Sequence, residues 1–375
     1  MKSLTFLIKP ASSLCDMRCR YCFYDDVSDN RQTKSMGMMS LETVRRLLQS
    51  GFEAVEPGGF IQILFQGGEP TLAGLDFFRG FLALEAELCP SDIQISHSIQ
   101  TNGMTLDEAW VRFFKEHQFL VGLSLDGTRE LHDRFRVDSQ GKGSWNQVTK
   151  ALALLDRYQV ETNLLCVVTG AMARSPQKVY QSLRKLGDHP LQFIPCLDPL
   201  EAERGTLPHS LTPEGYGKFL CGLFDCWYRD LKAGTYVSIR NYDDYLRLML
   251  GMPPGSCAAS GACGSYLVVE GDGSLYPCDF FVLDQWYLGN IHEVSVEKAL
   301  DSPTSHAFLE EGRERPTSCR SCPYVMLCRG GCKRDWICSP AGPANYYCIA
   351  FRFFFGYALP RLQEAARFLS GTGRR

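Results

Sequence analysis

The cysteines limit what this chain can fold into more than any other feature, because 17 of its 375 residues are cysteine and most fall in two groups. The first group is an early loop that contains Cys15, Cys19 and Cys22. The second group lies in the last third of the chain: Cys257, Cys263, Cys278, Cys319, Cys322, Cys328, Cys332, Cys338 and Cys348. In a reducing compartment, cysteines at such short spacings indicate metal sites. We interpret the remaining cysteines as small apolar core residues.

The composition and the charge exclude several kinds of partner. The chain has 39 basic and 42 acidic residues and a net charge of −3, so no basic excess is present to neutralise nucleic-acid phosphates. No apolar run reaches the roughly 18–20 residues of a membrane-spanning helix. The apolar stretch before Lys9 is shorter than the apolar core of a signal peptide, about 7–15 residues. We therefore expect a cytoplasmic protein with no nucleic-acid partner and no membrane partner.

The first two hundred residues alternate between strand and helix patterns. The predicted strands are residues 4–8, 61–65, 93–99, 120–125, 163–168 and 191–194. The predicted helices are residues 41–52, 77–88, 108–117, 146–158 and 177–186. Six strands that alternate with helices predict an α/β fold with a parallel sheet and right-handed crossovers. The periodicity allows either an open doubly wound sheet or a partial barrel.

The pattern changes at about residue 208. Helices are predicted at residues 213–232 and 242–250, and a hairpin is predicted around Gly271-Asp272-Gly273. A cysteine-rich segment and a terminal helix at residues 351–369 follow. We therefore divide the chain into an α/β domain at residues 1–207, a helical connection at 208–254, a cysteine-rich domain at 255–350 and a C-terminal helix at 351–375.

Polar and glycine-rich loops follow the predicted strands. Besides the cysteine loop, they are Gln66-Gly67-Gly68-Glu69-Pro70, Gln100-Thr101-Asn102-Gly103, Ser124-Leu125-Asp126-Gly127 and Cys196-Leu197-Asp198-Pro199. In parallel α/β proteins the active site forms at the carboxyl ends of the strands, where such loops meet. Ordinary βα turns also favour Gly, Asn and Asp, and Glu69 also fits a simple turn residue. That alternative leaves the cysteines unexplained.

The early cysteines have the spacing C-x3-C-x2-C, and no fourth cysteine or histidine lies nearby. A structural zinc site needs four ligands, and an ordinary ferredoxin cluster needs four cysteines. Three cysteines on a cubane cluster leave one iron open. We therefore interpret the loop as an iron-sulfur site whose fourth ligand is a substrate or a cofactor. Zinc with a distant fourth ligand remains the alternative.

The cysteine loop, with Arg20-Tyr21 before its last cysteine, resembles the radical S-adenosylmethionine (SAM) superfamily. Gly67-Gly68-Glu69-Pro70 resembles the SAM-binding motif of that superfamily. The resemblance implies a partial (β/α)6 TIM-like barrel in which SAM binds the open iron of a 4Fe-4S cluster. It also implies that SAM is cleaved to a 5′-deoxyadenosyl radical, which takes a hydrogen atom from the substrate.

The late cysteines resemble the SPASM extension of radical SAM enzymes that modify peptides and proteins. The resemblance implies two auxiliary 4Fe-4S clusters. It assigns the first to Cys257, Cys263, Cys278 and Cys332, and the second to Cys319, Cys322, Cys328 and Cys348. Cys338 is left over, as a core thiol or an alternative ligand. The spacing alone does not fix this division, and two zinc ribbons remain the alternative.

Within that group the chain is similar, over almost its whole length, to the anaerobic sulfatase-maturating enzymes. The shared runs include Leu7-Ile8-Lys9-Pro10, residues 65–74 and Tyr276-Pro277-Cys278-Asp279-Phe280. The resemblance implies cofactor contacts at Tyr21, Gly67, Gly68, Glu69, Ser124, Arg136 and Leu197. It also implies that Asp279 is the catalytic base.

The position of Asp279 agrees with that role. Oxidation of a thiol or an alcohol to the aldehyde level removes a hydrogen atom, a proton and an electron. A carboxylate can accept the proton, and a cluster can accept the electron. Asp279 directly follows a predicted cluster ligand, Cys278. A solvated surface aspartate after a turn is the alternative.

The resemblance implies an oxidoreductase that converts a Cys or Ser of an unfolded sulfatase to Cα-formylglycine (3-oxoalanine) without oxygen. We expect three 4Fe-4S clusters and SAM as cofactors. We expect a Cys/Ser-x-Pro/Ala-x-Arg-like segment as substrate, and a low-potential electron donor such as flavodoxin or ferredoxin.

Two other functions remain open. A SPASM-type peptide maturase would form thioether or other crosslinks with the same radical chemistry. Such enzymes often carry an N-terminal peptide-recognition domain, whereas the first strand is predicted here at residue 4. A non-catalytic metal scaffold or electron carrier would cleave no SAM, and it would leave the glycine loop and the open three-cysteine loop without a purpose.

Overall fold

The computed structural model describes residues 1–264, 266–339 and 342–372. Its strands are β1 Ser3–Ile8, β2 Phe60–Phe65, β3 Gln94–Thr101, β4 Leu120–Ser124, β5 Thr162–Val168, β6 Leu191–Pro195, β7 Leu267–Val269, β8 Ser274–Tyr276, β9 Gly289–Asn290, β10 Trp336–Ser339 and β11 Gly342–Asn345. Its helices are α1 Phe23–Asp29, α2 Leu41–Ala54, α3 Leu75–Leu88, α4 Glu108–Glu116, α5 Arg129–Phe135, α6 Trp145–Arg157, α7 Pro176–Arg184, α8 Pro213–Lys232, α9 Arg240–Met249, α10 Cys257–Ser260, α11 Val296–Leu300, α12 Pro303–Arg313, α13 Val325–Cys328 and α14 Cys348–Thr372. Among these helices, none is long and apolar enough to span a membrane.

Capping residues explain where several helices begin. The Ser40 hydroxyl accepts a hydrogen bond from the backbone N–H of Thr43 and caps α2. Thr212 caps α8 in the same way, and Pro213 at the first helical position has the backbone angle that a helix requires. The elements predicted for the first two hundred residues are all present, with ends shifted by at most two residues.

The chain divides into two compact units, and the first contains Met1–Ser124, Arg136–Thr162 and Gly264–Glu311. Its strands follow the order β4-β3-β2-β1-β7-β8-β9. The strands from β4 to β7 in this order are parallel, and β8 and β9 are antiparallel additions. Phe6, Leu7 and Ile8 point alternately to the two faces of the sheet and are all buried, as expected for parallel strands that are covered on both faces.

The strand register brings the carboxyl ends of these strands to one edge of the sheet. Ile8 at the end of β1 pairs with Phe65 at the end of β2, and Thr101 at the end of β3 pairs with Leu123 of β4. The backbone N–H of Gln66 still donates to the carbonyl of Ile8, 2.9 Å away. The loops after β1, β2 and β3 therefore begin side by side.

The second unit contains Leu125–Phe135, Asn163–Cys263 and Gly312–Arg375. In it, β5 and β6 pair in parallel, and β10 and β11 form an antiparallel hairpin. Helix α8 packs against α7 and α14. Trp227, Tyr242 and Phe354 form the buried aromatic centre of this helical layer.

The structure also corrects the prediction in places. The sequence missed the helices α1, α5, α10, α11 and α13, which have four to seven residues each, and it also missed α12, which has eleven. Helices of one or two turns are too short to show a 3.6-residue period. The terminal helix begins at Cys348 rather than at residue 351, so the last predicted cluster ligand stands on its first turn. The predicted domain boundaries stay a prediction.

Candidate active site

The glycine loop after β2 packs directly on the backbone of the cysteine loop. The N–H of Gly68 donates to the carbonyl of Ser12, and the N–H of Glu69 donates to the carbonyl of Leu14, both at 2.8 Å. A Cβ atom on Gly68 would stand 2.0 Å from the Leu14 oxygen. Gly67 has a φ of +134°, and a Cβ there would stand 2.9 Å from the Ser12 oxygen. Only glycine therefore allows the two loops to approach this closely.

Glu69 is 1% exposed and connects two loops at the edge of the sheet. Its Oε1 accepts hydrogen bonds from the backbone N–H of Thr71 at 3.1 Å, the Thr71 hydroxyl at 2.6 Å and the Thr101 hydroxyl at 2.8 Å. Its Oε2 accepts from the N–H of Asn102 at 2.7 Å. Burial raises the pKa of Glu69, and these donors oppose that shift. Its predicted contact with SAM stays a prediction.

The cysteine loop is attached to the loop after β3. The Asn102 side-chain amide donates to Asp16 Oδ1 at 2.7 Å and lies 3.8 Å from Cys15 Sγ. Cys22 directly precedes α1, and its N–H donates to the carbonyl of Cys19 at 3.1 Å. Asn102 and Asp16 were missed by the sequence analysis as residues that support the loop, although Asn102 lies in a loop that the analysis selected.

The three early thiols form a donor set that needs a cationic partner. Burial raises the pKa of the Cys15 thiol to about 12, and burial also raises the pKa of Cys22. A thiolate at either position therefore needs positive charge nearby. Iron supplies that charge, so the donor chemistry fits an iron-sulfur cluster with three protein ligands.

The predicted cofactor contacts Tyr21 and Arg136 are neighbours. The Arg136 guanidinium carbon lies 5.5 Å from the centre of the Tyr21 ring, and both side chains are buried. Ser124 ends β4 in the same unit and is also buried. Leu197 follows β6 in the second unit and is half-buried. The contacts of these residues with SAM stay a prediction.

Asp279 is buried, which excludes the solvated surface aspartate that the sequence left as an alternative. Its Oδ1 accepts a hydrogen bond from the Lys9 ammonium at 2.5 Å, and its Oδ2 accepts from the Gln66 side-chain amide at 3.2 Å. The sequence analysis quoted Lys9 and Gln66 in shared runs but gave them no role. A weak signal was present, since each is the first residue after a parallel strand.

Four late cysteines line one cavity in the second unit, and they are the set that the resemblance assigned to the second auxiliary cluster: Cys319, Cys322, Cys328 and Cys348. Burial raises the pKa of Cys328 to about 12, with further contributions from the negative charge of the other three thiolates. Four cysteine sulfurs around one cavity are a donor set that fits an iron-sulfur cluster. The assignment of these ligands stays a prediction.

The other late cysteines are divided between the units. Cys257 and Cys263 belong to the second unit, and Cys257 is the first residue of α10. Burial raises the pKa of the Cys263 thiol, and the nearby Cys257 raises it further. Cys332 Sγ accepts from the N–H of Arg334 at 3.4 Å. Cys278 belongs to the first unit, with its sulfur 3.5 Å from the Tyr266 hydroxyl. The assignment of the first auxiliary cluster stays a prediction.

Two further observations concern metal binding. Within residues 1–264, 266–339 and 342–372, no group of three or more His, Cys, Asp or Glu side chains is arranged to hold a single metal ion. The side chain of Cys338 lies outside the described residues.

Family models match both of the resemblances found in the sequence, the radical SAM resemblance and the SPASM resemblance. Residues 10–183 match the radical SAM superfamily, and residues 257–323 match an iron-sulfur cluster-binding domain. The second match decides between the two interpretations of the late cysteines in favour of iron-sulfur clusters over zinc ribbons. Together the two matches confirm SAM-type radical chemistry and 4Fe-4S clusters as the cofactor class.

Relatives that match the whole chain identify one family within the radical SAM superfamily. The chain is 43% identical to the cysteine-type anaerobic sulfatase-maturating enzyme of Clostridium novyi (strain NT), over 99% of both chains. It is 35% identical to the serine-type enzyme of Klebsiella aerogenes, over 97% of this chain and 87% of the other. The solved structure of native anSMEcpe with bound AdoMet and Cp18Cys peptide superposes with a TM-score of 0.91 at 41% identity, over 98% of this chain and 99% of the other. The predicted partial barrel and SPASM domain are thereby confirmed, and the chain belongs to the anaerobic sulfatase-maturating enzymes of the radical SAM superfamily.

Proposed function

We propose that the chain oxidises a specific Cys or Ser of an unfolded sulfatase to Cα-formylglycine without oxygen. The similarity to both cysteine-type and serine-type maturating enzymes supports this reaction. The observation that carries it within the structure is the buried carboxylate of Asp279, which directly follows the predicted ligand Cys278.

The oxidation removes a hydrogen atom, a proton and an electron from the substrate, and each of the three needs an acceptor. When bound, SAM and the clusters supply a 5′-deoxyadenosyl radical, which takes a hydrogen atom from the substrate Cβ, and an acceptor for one electron. Asp279 accepts the proton of the substrate thiol or hydroxyl. A cysteine thereby becomes a thioaldehyde, which water converts to the aldehyde with release of hydrogen sulfide. A serine gives the aldehyde directly.

The residues of the chain position these reactants. Gly67 and Gly68 let the glycine loop lie against the cysteine loop, and Glu69 fixes the loops after β2 and β3. Tyr21, Gly67, Gly68, Glu69, Ser124, Arg136 and Leu197 are the proposed cofactor contacts. Burial keeps bulk water from the Asp279 carboxylate, whose two oxygens are held by Lys9 and Gln66.

The proposed cluster ligands follow the sequence assignment. Cys15, Cys19 and Cys22 hold the SAM-binding cluster. Cys257, Cys263, Cys278 and Cys332 hold the first auxiliary cluster, and Cys319, Cys322, Cys328 and Cys348 hold the second. The common cavity of the last four supports their grouping. The proposed domains remain residues 1–207, 208–254, 255–350 and 351–375.

Cysteine is the proposed substrate residue of choice, because the cysteine-type relative is 43% identical and the serine-type relative 35%. The substrate segment has the Cys-x-Pro/Ala-x-Arg character and is bound before the sulfatase folds. A flavodoxin or ferredoxin supplies the low-potential electron. A cytoplasmic location accords with the sixteen cysteines of the described residues that form no disulfide, since a reducing compartment keeps thiols reduced.

The test is an anaerobic assay with the reconstituted protein, reductant, SAM and synthetic peptides that carry Cys, Ser or Ala at the target position. 5′-Deoxyadenosine and peptide mass are measured together. We expect aldehyde from the Cys peptide, less from the Ser peptide and none from the Ala peptide. A crosslinked product without aldehyde would instead establish a crosslinking maturase. If a protein with intact clusters forms no deoxyadenosine, the proposal that the chain is a radical SAM enzyme is refuted.

The variant Asp279→Asn tests the proposed base. We expect deoxyadenosine formation to persist while aldehyde formation falls by about 10²- to 10⁴-fold, the usual contribution of a general base. Asp76→Asn is the matched control, because the Asp76 side chain is 94% exposed. An Asp279→Asn variant with the rate of this control would contradict the assignment.

A further inference from the structure

Both oxygens of the Asp279 carboxylate are held by side chains that follow neighbouring strands. Lys9 follows β1 and Gln66 follows β2, and their nitrogens lie 2.5 Å and 3.2 Å from Oδ1 and Oδ2. The Lys9 side chain has no exposed surface, and that of Asp279 is 6% exposed. With both oxygens engaged, the carboxylate has one preferred orientation, and the Lys9 ammonium is its charged partner.

Lys9 is itself held rigidly. Its backbone N–H donates to the carbonyl of Val269 at 2.8 Å, which extends the pairing of β1 with β7. Its side chain passes beneath the glycine loop, because a Cβ on Gly67 would stand 3.2 Å from Lys9 Cβ and 3.3 Å from Cγ. Its ammonium lies 3.5 Å from the centre of the Tyr24 ring. The ammonium is therefore placed by three elements of the first unit.

A second buried ion pair lies beside the pair of Lys9 and Asp279, because Tyr24 contacts both. Glu270 follows β7 and is also fully buried. Its Oε1 accepts hydrogen bonds from the Tyr24 hydroxyl and, at 3.1 Å, from Arg31. Arg31 therefore neutralises Glu270, and Lys9 neutralises Asp279. In this cluster of two cations and two carboxylates, each charged group has an oppositely charged partner.

We propose that Lys9 is a positioning residue of the peptide-oxidation step, which acts by fixing the Asp279 carboxylate towards the substrate proton. This inference rests on the proposed function of Asp279. Lys9 takes no part in the formation of the radical. Without Lys9, deoxyadenosine therefore still forms, but less aldehyde forms for each deoxyadenosine. A lysine that merely supports the fold would lower both products together.

The experiment compares Lys9→Met with Lys9→Arg in the reconstituted holoenzyme. Methionine keeps the length of the side chain without its charge, and arginine restores a cation. We expect Lys9→Met to retain its iron and its peptide KM, and to lower the ratio of aldehyde to deoxyadenosine by about 10- to 100-fold. Lys9→Arg recovers part of that ratio. Lys232→Met is the matched control, because it removes a lysine from an exposed ion pair with Glu364.

A double variant keeps the test decisive if Lys9→Met folds poorly because it leaves Asp279 without its cation. Lys9→Met combined with Asp279→Asn removes both charges. If Lys9 acts through Asp279, the double variant has the aldehyde ratio of Asp279→Asn alone. A further loss in the double variant, or an unchanged ratio in Lys9→Met, would overturn the role of Lys9. An unchanged ratio in Asp279→Asn would overturn the base assignment first, and the role of Lys9 with it.

Discussion

The substitution Glu69→Gln tests whether the glycine loop is held in place by a carboxylate. The side chain keeps its size, and only one oxygen and the charge are lost. In the native chain, Oε1 faces the N–H of Thr71 and two hydroxyl groups, and Oε2 faces the N–H of Asn102. A glutamine has one acceptor oxygen and one amide nitrogen, which cannot accept a hydrogen bond.

Both orientations of the glutamine leave a backbone N–H facing an amide nitrogen. If its oxygen replaces Oε1, the N–H of Asn102 loses its acceptor at 2.7 Å. If its oxygen replaces Oε2, the N–H of Thr71 loses its acceptor at 3.1 Å. A buried unsatisfied donor and the loss of charged hydrogen bonds together cost about 2–3 kcal/mol. If the loop rearranges to avoid this cost, SAM affinity falls by about 30- to 150-fold.

The assay is anaerobic equilibrium dialysis of SAM against the reconstituted protein, with deoxyadenosine formation measured in parallel. Glu87→Gln is the matched control, because Glu87 forms an exposed ion pair with Arg45, and exposed ion pairs contribute little to stability. We expect the control to bind SAM as the parent protein does. A Glu69→Gln variant with normal iron content and unchanged SAM affinity would refute the reasoning.

Three further changes have expected outcomes. Gly68→Ala places a carbon 2.0 Å from a carbonyl oxygen of the cysteine loop, so reconstituted iron and the melting temperature both fall. Gly371→Ala is the control, because among the described residues no atom beyond its own helix backbone and chain neighbours lies within 4 Å of the added carbon. Iron analysis and thermal unfolding of the two variants check this. Burial lowers the pKa of His209, so this residue contributes stability that is present above its ordinary pKa of 6.5 and is lost as the pH falls below it. His209→Gln therefore flattens the pH dependence of the denaturation midpoint below about pH 6.5, and the variant His306→Gln is the exposed control. Equal slopes in the parent protein and in the His209→Gln variant would contradict this. Cys348→Ser loses the second auxiliary cluster, so bound iron drops by roughly a third while deoxyadenosine formation without peptide continues; full iron content would show that the cavity holds no cluster.

Several parts of the fold could be predicted because they depend on neighbours in the chain. The buried parallel strands show as short apolar runs, and the glycine loop shows as a turn directly after one of them. Helix α8 is preceded by a capping threonine, and its first residue is a proline. The four-residue helices α10 and α13 could not be predicted, because their ends are fixed by contacts within the cysteine-rich segments rather than by an apolar period.

The residues of the candidate site also fall into those that the sequence could identify and those that only the structure identified. The glycines could be recognised from their motif, but the reason for them lies in carbonyl oxygens about 55 positions earlier in the chain, at Ser12 and Leu14. Glu69 could be singled out, but its partners after β3 could not, because strand register decides which loops meet. Lys9 carried no signal of its own beyond a place after a strand.

The sequence by itself determined the donor chemistry of this protein. Three thiols within eight residues and a late run of cysteines indicate metal sites through their spacing, because ligands close in sequence stay close in space, and the resemblance of the motifs to known families selects iron-sulfur clusters over zinc. Only the tertiary structure decided the surroundings of the base. Lys9 and Asp279 are 270 positions apart, and they meet because β7 pairs with β1 and carries the following segment to the same buried cluster. Which cation faces which carboxylate is set by that packing, since a buried charge is stable only beside its partner.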